Sequence, residues 1–439
     1  MIRRIIQEWG RLPVTRDGGG QTVTRSQANR LMAVARAAQA SLRLGDAEVE
    51  RILVDHGQRL RAHQVVGVLV APGISLEILP KIDGLEEDGT RINLVRMLAR
   101  ILDLKIADGA LTQVGWQSRD MLEILTRLFC DKLLDAIHRG LTRRYVRHED
   151  DLPMLRGRLD VKRQFTVLAA SPHRLASHYD ELSADTPLNQ ILKAAVTCLR
   201  VTSRASENQR RLNELEFALA NVKRLPIEQL PWRQVVLDRT NTAYHDLFQL
   251  ARELLRGHFQ QVIGGGEGLG FSLLFEMNRL FEEFIGRTLQ IAMRDSGLRV
   301  TLQGPKKHAL SEINTNVSRF MTKPDIVIHS GDTPVMVIDT KWKRLAGPID
   351  DPRRGVSQAD VYQTIAYAQI YRVKHLMLLY PHHAQLGKRE GVVCEYRIAG
   401  TEEVRLSIAT LSLLDLDQIS LRIKSLIATC GLIQCANAA

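Results

Sequence analysis

Cysteine is sparse: five residues, at 130, 198, 394, 430 and 435, are scattered over 439 positions, and no two form a C-x-x-C pair. A zinc ribbon and a dithiol redox motif are thereby excluded, and an odd count in a long chain fits reduced, mostly buried thiols. Long hydrophobic runs are missing too. Stretches such as VVGVLVAP and PVMVIDT are far too short to span a bilayer. The opening MIRRIIQEWGRLPVTR has no sustained apolar core and no small-residue cleavage pattern. It reads as folded protein and not as a signal peptide, and a cytoplasmic location is expected. No internal repeat is visible, and no G-x-x-x-x-G-K-[ST] sequence occurs. The chain is therefore not expected to hydrolyse a nucleotide through a phosphate loop.

What is present is positive charge. Sixty Lys and Arg face 49 acids, for a formal net charge of +11. Such a balance favours polyanions by counterion release and steering, and the planar fork of arginine suits phosphate. Hydrophobic residues make up 45%, enough for a sizeable core, and the length predicts two or three domains.

The expected architecture is mixed α/β and multidomain. Residues 1–115 read as an α+β domain: a helix over 24–43, two strands within 65–82 around the turn at Pro72-Gly73, and a helix over 93–102. Residues 116–263 read as a mainly helical middle region. It is interrupted by RGRLDVKRQF (156–165), which looks strand-like, and it contains a helix start at Asp185 and Pro187. GGGEGLG (264–270) reads as a boundary or mobile loop. Residues 264–439 then read as helix (271–293), strand (324–329), strand (335–341), helix (359–373) and strand (375–381). That order predicts a central mixed sheet flanked by helices.

The stretch KPDIVIHSGDTPVMVIDTKWK (323–343) carries the chemistry. Two apolar strands flank turn residues, yet Asp325 opens the first strand while Asp339 and Lys341 close the second. Residues i and i+2 of a strand point to one side, so Asp339 and Lys341 project together. Two carboxylates at neighbouring strand ends offer oxygen ligands to Mg²⁺, with Mn²⁺ as the alternative ion, and the ammonium places a cation beside a developing negative charge. On the following helix Gln363 and Tyr367 are four apart and share a face. The adjacent His382 and His383, without ligating neighbours in sequence, read as surface residues.

The order P-D, strand, turn, strand, D-x-K resembles the PD-(D/E)xK nuclease superfamily. That resemblance implies metal ligation by Asp325 and Asp339. Lys341 would orient or help deprotonate the attacking water. An acid on the preceding helix would assist the metal: Glu282, with Glu283 and Glu276 as rivals. Gln363 and Tyr367 match a Q-x-x-x-Y element beside the site. More broadly, VGVLVAPGISLEILPKI, RGRLDV, SADTPLNQILK, LFEEF, KPDIVI, VIDTKWK, DVYQTIAYA and LLYPH follow in the order of the McrC family, over roughly residues 65 to 385. These are the nuclease subunits of McrBC-type, modification-dependent restriction systems. The resemblance implies a Mg²⁺-dependent endonuclease of double-stranded DNA that docks through its N-terminal part on a McrB-like AAA+ GTPase ring. GTP would be used by the partner and not by this chain, and no membrane is involved. Two alternatives fit the same sequence: a catalytically silent adaptor that only stimulates the ring, and a nuclease of the superfamily working with a different motor. The complete set of Asp325, Asp339 and Lys341 argues against the silent adaptor.

Overall fold

The computed structural model describes residues 2–42, 52–104, 120–171, 173–237, 244–256, 258–263, 266–345, 355–387, 390–401 and 403–431. Cys435 and the first two glycines of GGGEGLG lie outside the described residues. Two compact units emerge. One joins Met1–Met121 to Phe259–Ala439, and the other is Leu122–His258.

The first unit begins with β1 (Ile2–Gln7), β2 (Arg11–Pro13), α1 (Arg25–Leu42), β3 (Leu53–Asp55) and β4 (Arg59–Ala62). β5 (Val65–Ala71), β6 (Ile74–Leu79) and α2 (Glu87–Ile101) follow. The turn at Pro72-Gly73 joins β5 and β6 as an antiparallel pair, and β1 adds to β6 in parallel. Both faces of β6 are buried, including Ser75 and Glu77. A buried carboxylate needs partners. Glu77 has them: Arg91 of α2 at 2.8 Å, Arg3 of β1 at 2.8 Å, and the Met121 amide at 3.0 Å.

The second unit contains α3 (Met121–Arg139), β7 (Arg144–Leu152), β8 (Arg158–Leu159), α4 (Val161–Thr166) and β9 (Leu175–Ser183). α5 (Pro187–Thr202), α6 (Ser206–Ala218) and α7 (His245–Arg256) complete it. The strand expected over 156–165 is confined to two residues. Asp160 ends it by accepting from the Arg163 amide at 3.0 Å, an N-cap that starts α4. α5 has Pro187 in its first turn as expected, but its cap is Thr186, one residue after the expected Asp185.

The chain then returns to the first unit. β10 (His258–Ile263) and β11 (Gly266–Glu276) extend the N-terminal sheet to the order β1-β6-β5-β11-β10. Two expectations are corrected here. Gly266–Gly270 open a strand and do not form a loop. The helix expected over 271–293 begins only at Met277, as α8 (Met277–Ala292), because Phe271–Glu276 pair with Val65–Val70. That pairing binds the region expected as a separate N-terminal domain to the one expected as the C-terminal domain.

After α8 come β12 (Leu298–Leu302), β13 (Lys307–Ser311), β14 (Ser318–Thr322), β15 (Ile326–Ser330) and β16 (Thr333–Thr340). The rest is α9 (Gln358–Tyr371), β17 (His375–Pro381), β18 (Gly391–Arg397), β19 (Arg405–Leu411) and α10 (Ile419–Thr429). Six strands form the expected mixed sheet, ordered β12-β15-β16-β17-β19-β18. Alternate residues divide its two faces. Val327, Val337, Leu376 and Leu378 pack with Tyr367 and Tyr371 of α9 in one core. Ile326, Ile328, Met336 and Ile338 are fully buried on the other side, where α8 packs on β12 and β16. Gly286 permits this close approach: a Cβ there would lie 2.5 Å from Leu302 Cδ2.

Candidate active site

Strand register gathers the polar residues at one edge of the six-stranded sheet. β15 and β16 are antiparallel with Ile326 opposite Ile338, so one further step sets Asp325 opposite Asp339. β12 ends at the same edge, where the Gln303 amide donates to the Asp325 carbonyl at 2.7 Å. β17 runs parallel to β16, and the Lys341 amide continues the ladder to the Leu379 carbonyl at 2.9 Å. Parallel strands β16, β17 and β19 thus end together, and the apolar residues that precede them fix the edge rigidly.

Each carboxylate is held differently. Asp325 Oδ2 accepts from the Thr340 amide at 2.8 Å and from Thr340 Oγ1 at 2.9 Å. The side chain of Asp339 is 1% exposed, and its Oδ2 lies 2.6 Å from Lys341 Nζ. That contact is a close ion pair, and Lys341 is the partner of the buried Oδ2. Burial, followed by the charge of Glu282, pushes the Asp325 carboxyl up to about 6. Burial, followed by the charge of Asp325, pushes Asp339 up to about 6 as well. Burial alone would lower the Lys341 ammonium, but Asp339, Asp360 and Asp325 outweigh it and hold the group above its ordinary value. Lys341 is therefore a fixed cation at neutral pH.

Glu282 reaches this edge from α8. Its Oε1 accepts from Gln303 Nε2 at 3.1 Å, and Lys323 Nζ donates to Gln303 Oε1 at 2.8 Å. Burial raises the Glu282 carboxyl, while Gln303 and Lys323 pull it back. The rivals are placed elsewhere. Glu283 forms an i, i+4 ion pair with Arg279 at 2.9 Å. Glu276 is the last residue of β11, ahead of the helix. Gln363 and Tyr367 both join the edge. Lys341 Nζ donates to Gln363 Oε1 at 3.5 Å, and Gln363 Nε2 donates to the Tyr367 hydroxyl at 2.8 Å.

Several participants were not visible in the sequence. Asp360, buried at the start of α9, sits 3.7 Å from Lys341 Nζ and 3.3 Å from Lys343 Nζ. Thr340, Gln303 and Lys323 hold the acids, yet their only sequence signal is adjacency to the strand ends. Trp342, next to Lys341, is anchored far from its own strand. Its indole Nε1 donates to the buried Glu8 Oε1 at 2.8 Å, and its ring lies 5.3 Å from that of Phe281. One histidine reading is corrected. His383 is 5% exposed and its Nε2 bonds the Leu345 carbonyl at 3.0 Å, so it is a buried structural residue.

Among the described residues, no three His, Cys, Asp or Glu side chains already close around a common metal position. Asp325 and Asp339 nonetheless fit a hard cation that keeps several waters. They are oxygen donors facing each other, and their ionised forms are disfavoured by burial and by neighbouring carboxylates. A bound divalent ion would remove that electrostatic penalty.

The chain matches the family described as McrBC 5-methylcytosine restriction system component over residues 60–381. No curated protein matches it. Among solved structures, it is similar to a chain of the half-complex from a tetradecameric assembly of Thermococcus gammatolerans McrB AAA+ hexamers with bound McrC. That alignment has 21% identity and a TM-score of 0.74, covering 98% of this chain and 100% of the other. A chain of the Thermococcus gammatolerans McrBC complex aligns at 23% identity with a TM-score of 0.54, covering 67% of this chain and 89% of the other. The family match spans most of the sequence, and the structural likeness extends the shared fold to nearly all of it. This chain belongs to the family of McrBC 5-methylcytosine restriction system components.

Proposed function

We propose that the chain is the DNA-cleaving subunit of a modification-dependent restriction system, with a PD-(D/E)xK site at the edge of the six-stranded sheet. The observation that carries this reading is the facing pair Asp325 and Asp339 with Lys341 Nζ 2.6 Å from Asp339. Asp325 and Asp339 would hold Mg²⁺, which when bound polarises a phosphodiester and lowers the pKa of water.

The chain's own residues do the rest. Lys341 keeps its proton and presents positive charge where the phosphorane-like transition state gains negative charge. Asp360 and Gln363 limit the positions its ammonium can take. Gln363 and Tyr367 offer hydrogen bonds at the rim, and Glu282 adds a carboxylate on the α8 side, oriented by Gln303. Thr340 fixes one oxygen of Asp325 and leaves the other to a ligand.

Nucleotide hydrolysis is assigned to a partner. The similar Thermococcus gammatolerans structure is described as McrB AAA+ hexamers with bound McrC. By extension this chain docks on an AAA+ GTPase ring, using residues 1–115, and acts on DNA carrying 5-methylcytosine. The test combines the purified chain, its AAA+ partner, GTP and Mg²⁺ with methylated or unmethylated plasmid. Cleavage confined to methylated DNA is expected. No cleavage of either plasmid, with GTP hydrolysis still stimulated, would show a silent adaptor instead.

A further inference from the structure

Residues 306–323 leave the catalytic edge and return to it as a two-stranded arm. β13 and β14 pair antiparallel, with Lys307 opposite Thr322 and Leu310 opposite Arg319. Residues 308–321 are exposed throughout, on both faces of the ribbon. A free two-stranded ribbon is marginal in water. This one also presents apolar side chains to solvent: Ile313 is 94% exposed, Phe320 72% and Met321 55%. Phe320 moreover sits at φ +55°, a backbone conformation that bulky residues seldom adopt.

The foot of the arm is built into the site. The buried Tyr371, on the same helix as Gln363 and Tyr367, donates to the Pro305 carbonyl at 2.7 Å. Its hydroxyl is 3.1 Å from Thr322 Oγ1, and the Lys307 ammonium lies 5.0 Å from its ring. Lys323 reaches Gln303, which reaches Glu282. Charge selects the occupant. Lys306, Lys307, Arg319 and Lys323 face a single acid, Glu312, giving this segment a formal charge of +3 (four cations less one carboxylate). Cations combined with exposed apolar side chains suit a nucleic-acid duplex, whose phosphates meet the former and whose groove walls meet the latter.

We propose that the β13–β14 arm grips duplex DNA beside the bond to be cut, with Lys306 and Arg319 on phosphates and Phe320 and Met321 against the groove. This rests on the nuclease reading, since the duplex is placed by the site from which the arm emerges. The arm sets affinity and the position of the scissile phosphate, and it does not take part in the bond-breaking step.

The test measures fluorescence anisotropy of a labelled methylated duplex with the full chain in EDTA across a salt series. For Lys306→Glu with Arg319→Glu, affinity is expected to fall about tenfold or more, with a salt slope shallower by about one per lost phosphate contact. Phe320→Ser is expected to weaken binding about tenfold with the slope unchanged. Ile313→Ser, at the most exposed position and outside the proposed contacts, controls for folding, with binding and the circular dichroism spectrum expected to be unchanged. Unchanged affinity and slope in the charge-reversed variant would overturn the proposal. So would unchanged DNA binding with lost stimulation of the partner's GTP hydrolysis, because that would mark a protein-docking surface. If wild type never cuts DNA but the arm variants still lose binding, the nuclease reading fails and the arm stands. If wild type cuts, Asp339→Asn does not, and the arm variants bind and cut normally, the arm fails and the nuclease reading stands.

Discussion

Asp339→Asn is expected to abolish DNA cleavage, by about a thousandfold or more, while leaving the metal-free protein at least as stable as wild type at pH 7.5. The first effect follows if Asp339 supplies an oxygen to the proposed Mg²⁺, whose loss would remove several kcal/mol of transition-state stabilisation. The second follows from the environment of the carboxyl. Its folded value is about 6, raised by burial and then by Asp325, against about 3.9 for an unperturbed aspartate. A raised carboxyl contributes stability that is fully present below the unfolded value and is lost as pH climbs through the folded one. The ionised form at pH 7.5 is therefore a cost that asparagine does not carry. In EDTA, thermal unfolding of the variant should equal or exceed wild type at pH 7.5, and the difference should shrink at pH 5. Added Mg²⁺ should raise the wild-type midpoint at pH 7.5, less at pH 5, and the variant's hardly at all, because protons compete with the ion for the same oxygens. A variant that unfolds well below wild type in EDTA at pH 7.5 would show Asp339 to be a structural ion-pair residue.

Gly67→Ala is expected to cost about 4 kcal/mol and to lower the unfolding midpoint by roughly 10 °C. Gly67 lies mid-strand in β5 at φ +132°, and a Cβ there would sit 1.9 Å from the Leu273 carbonyl oxygen and 3.0 Å from Leu274 Cα. Those atoms belong to the backbone of β11, which cannot yield without breaking its pairing with β5. β11 leads directly into α8 and hence to Glu282, so the damage is expected to reach cleavage as well as stability. Gly19→Ala is the control: nothing lies within 4 Å of its added Cβ, and a change within about 0.5 kcal/mol is expected. Equal midpoints for the two variants would contradict the strand pairing described here.

The C-terminal sheet was largely legible in the sequence because its strands are short, apolar and bounded by turn residues. The expected strands over 324–329 and 335–341 are observed at Ile326–Ser330 and Thr333–Thr340, and the expected helix over 359–373 at Gln358–Tyr371. Asp325, Asp339 and Lys341 were legible for the same reason, since strand periodicity and a tight turn bring neighbouring ends together.

Long-range pairing was not legible. FSLLFE has an apolar composition that continues smoothly into the helix after it, and only β5, some two hundred positions away, makes it a strand. The glycine-rich segment that looks like a boundary is partly a strand because β11, which it opens, has β10 as its other neighbour in the sheet. Asp360 illustrates the limit on the site. It is an ordinary acid in the first turn of a helix until the sheet places Lys341 and Lys343 beside it. Glu282, Glu283 and Glu276 were equivalent by spacing, and only the approach of β12 to α8 sets Glu282 against Gln303.

The most direct measurement compares wild type with Lys341→Ala in the assay with methylated plasmid, partner, GTP and Mg²⁺, following cleavage and GTP hydrolysis together. The variant is expected to lose cleavage about a hundredfold or more while it stimulates GTP hydrolysis as wild type does. Cleavage by Lys341→Ala at the wild-type rate would contradict this, because the chemistry would then lie away from this sheet edge.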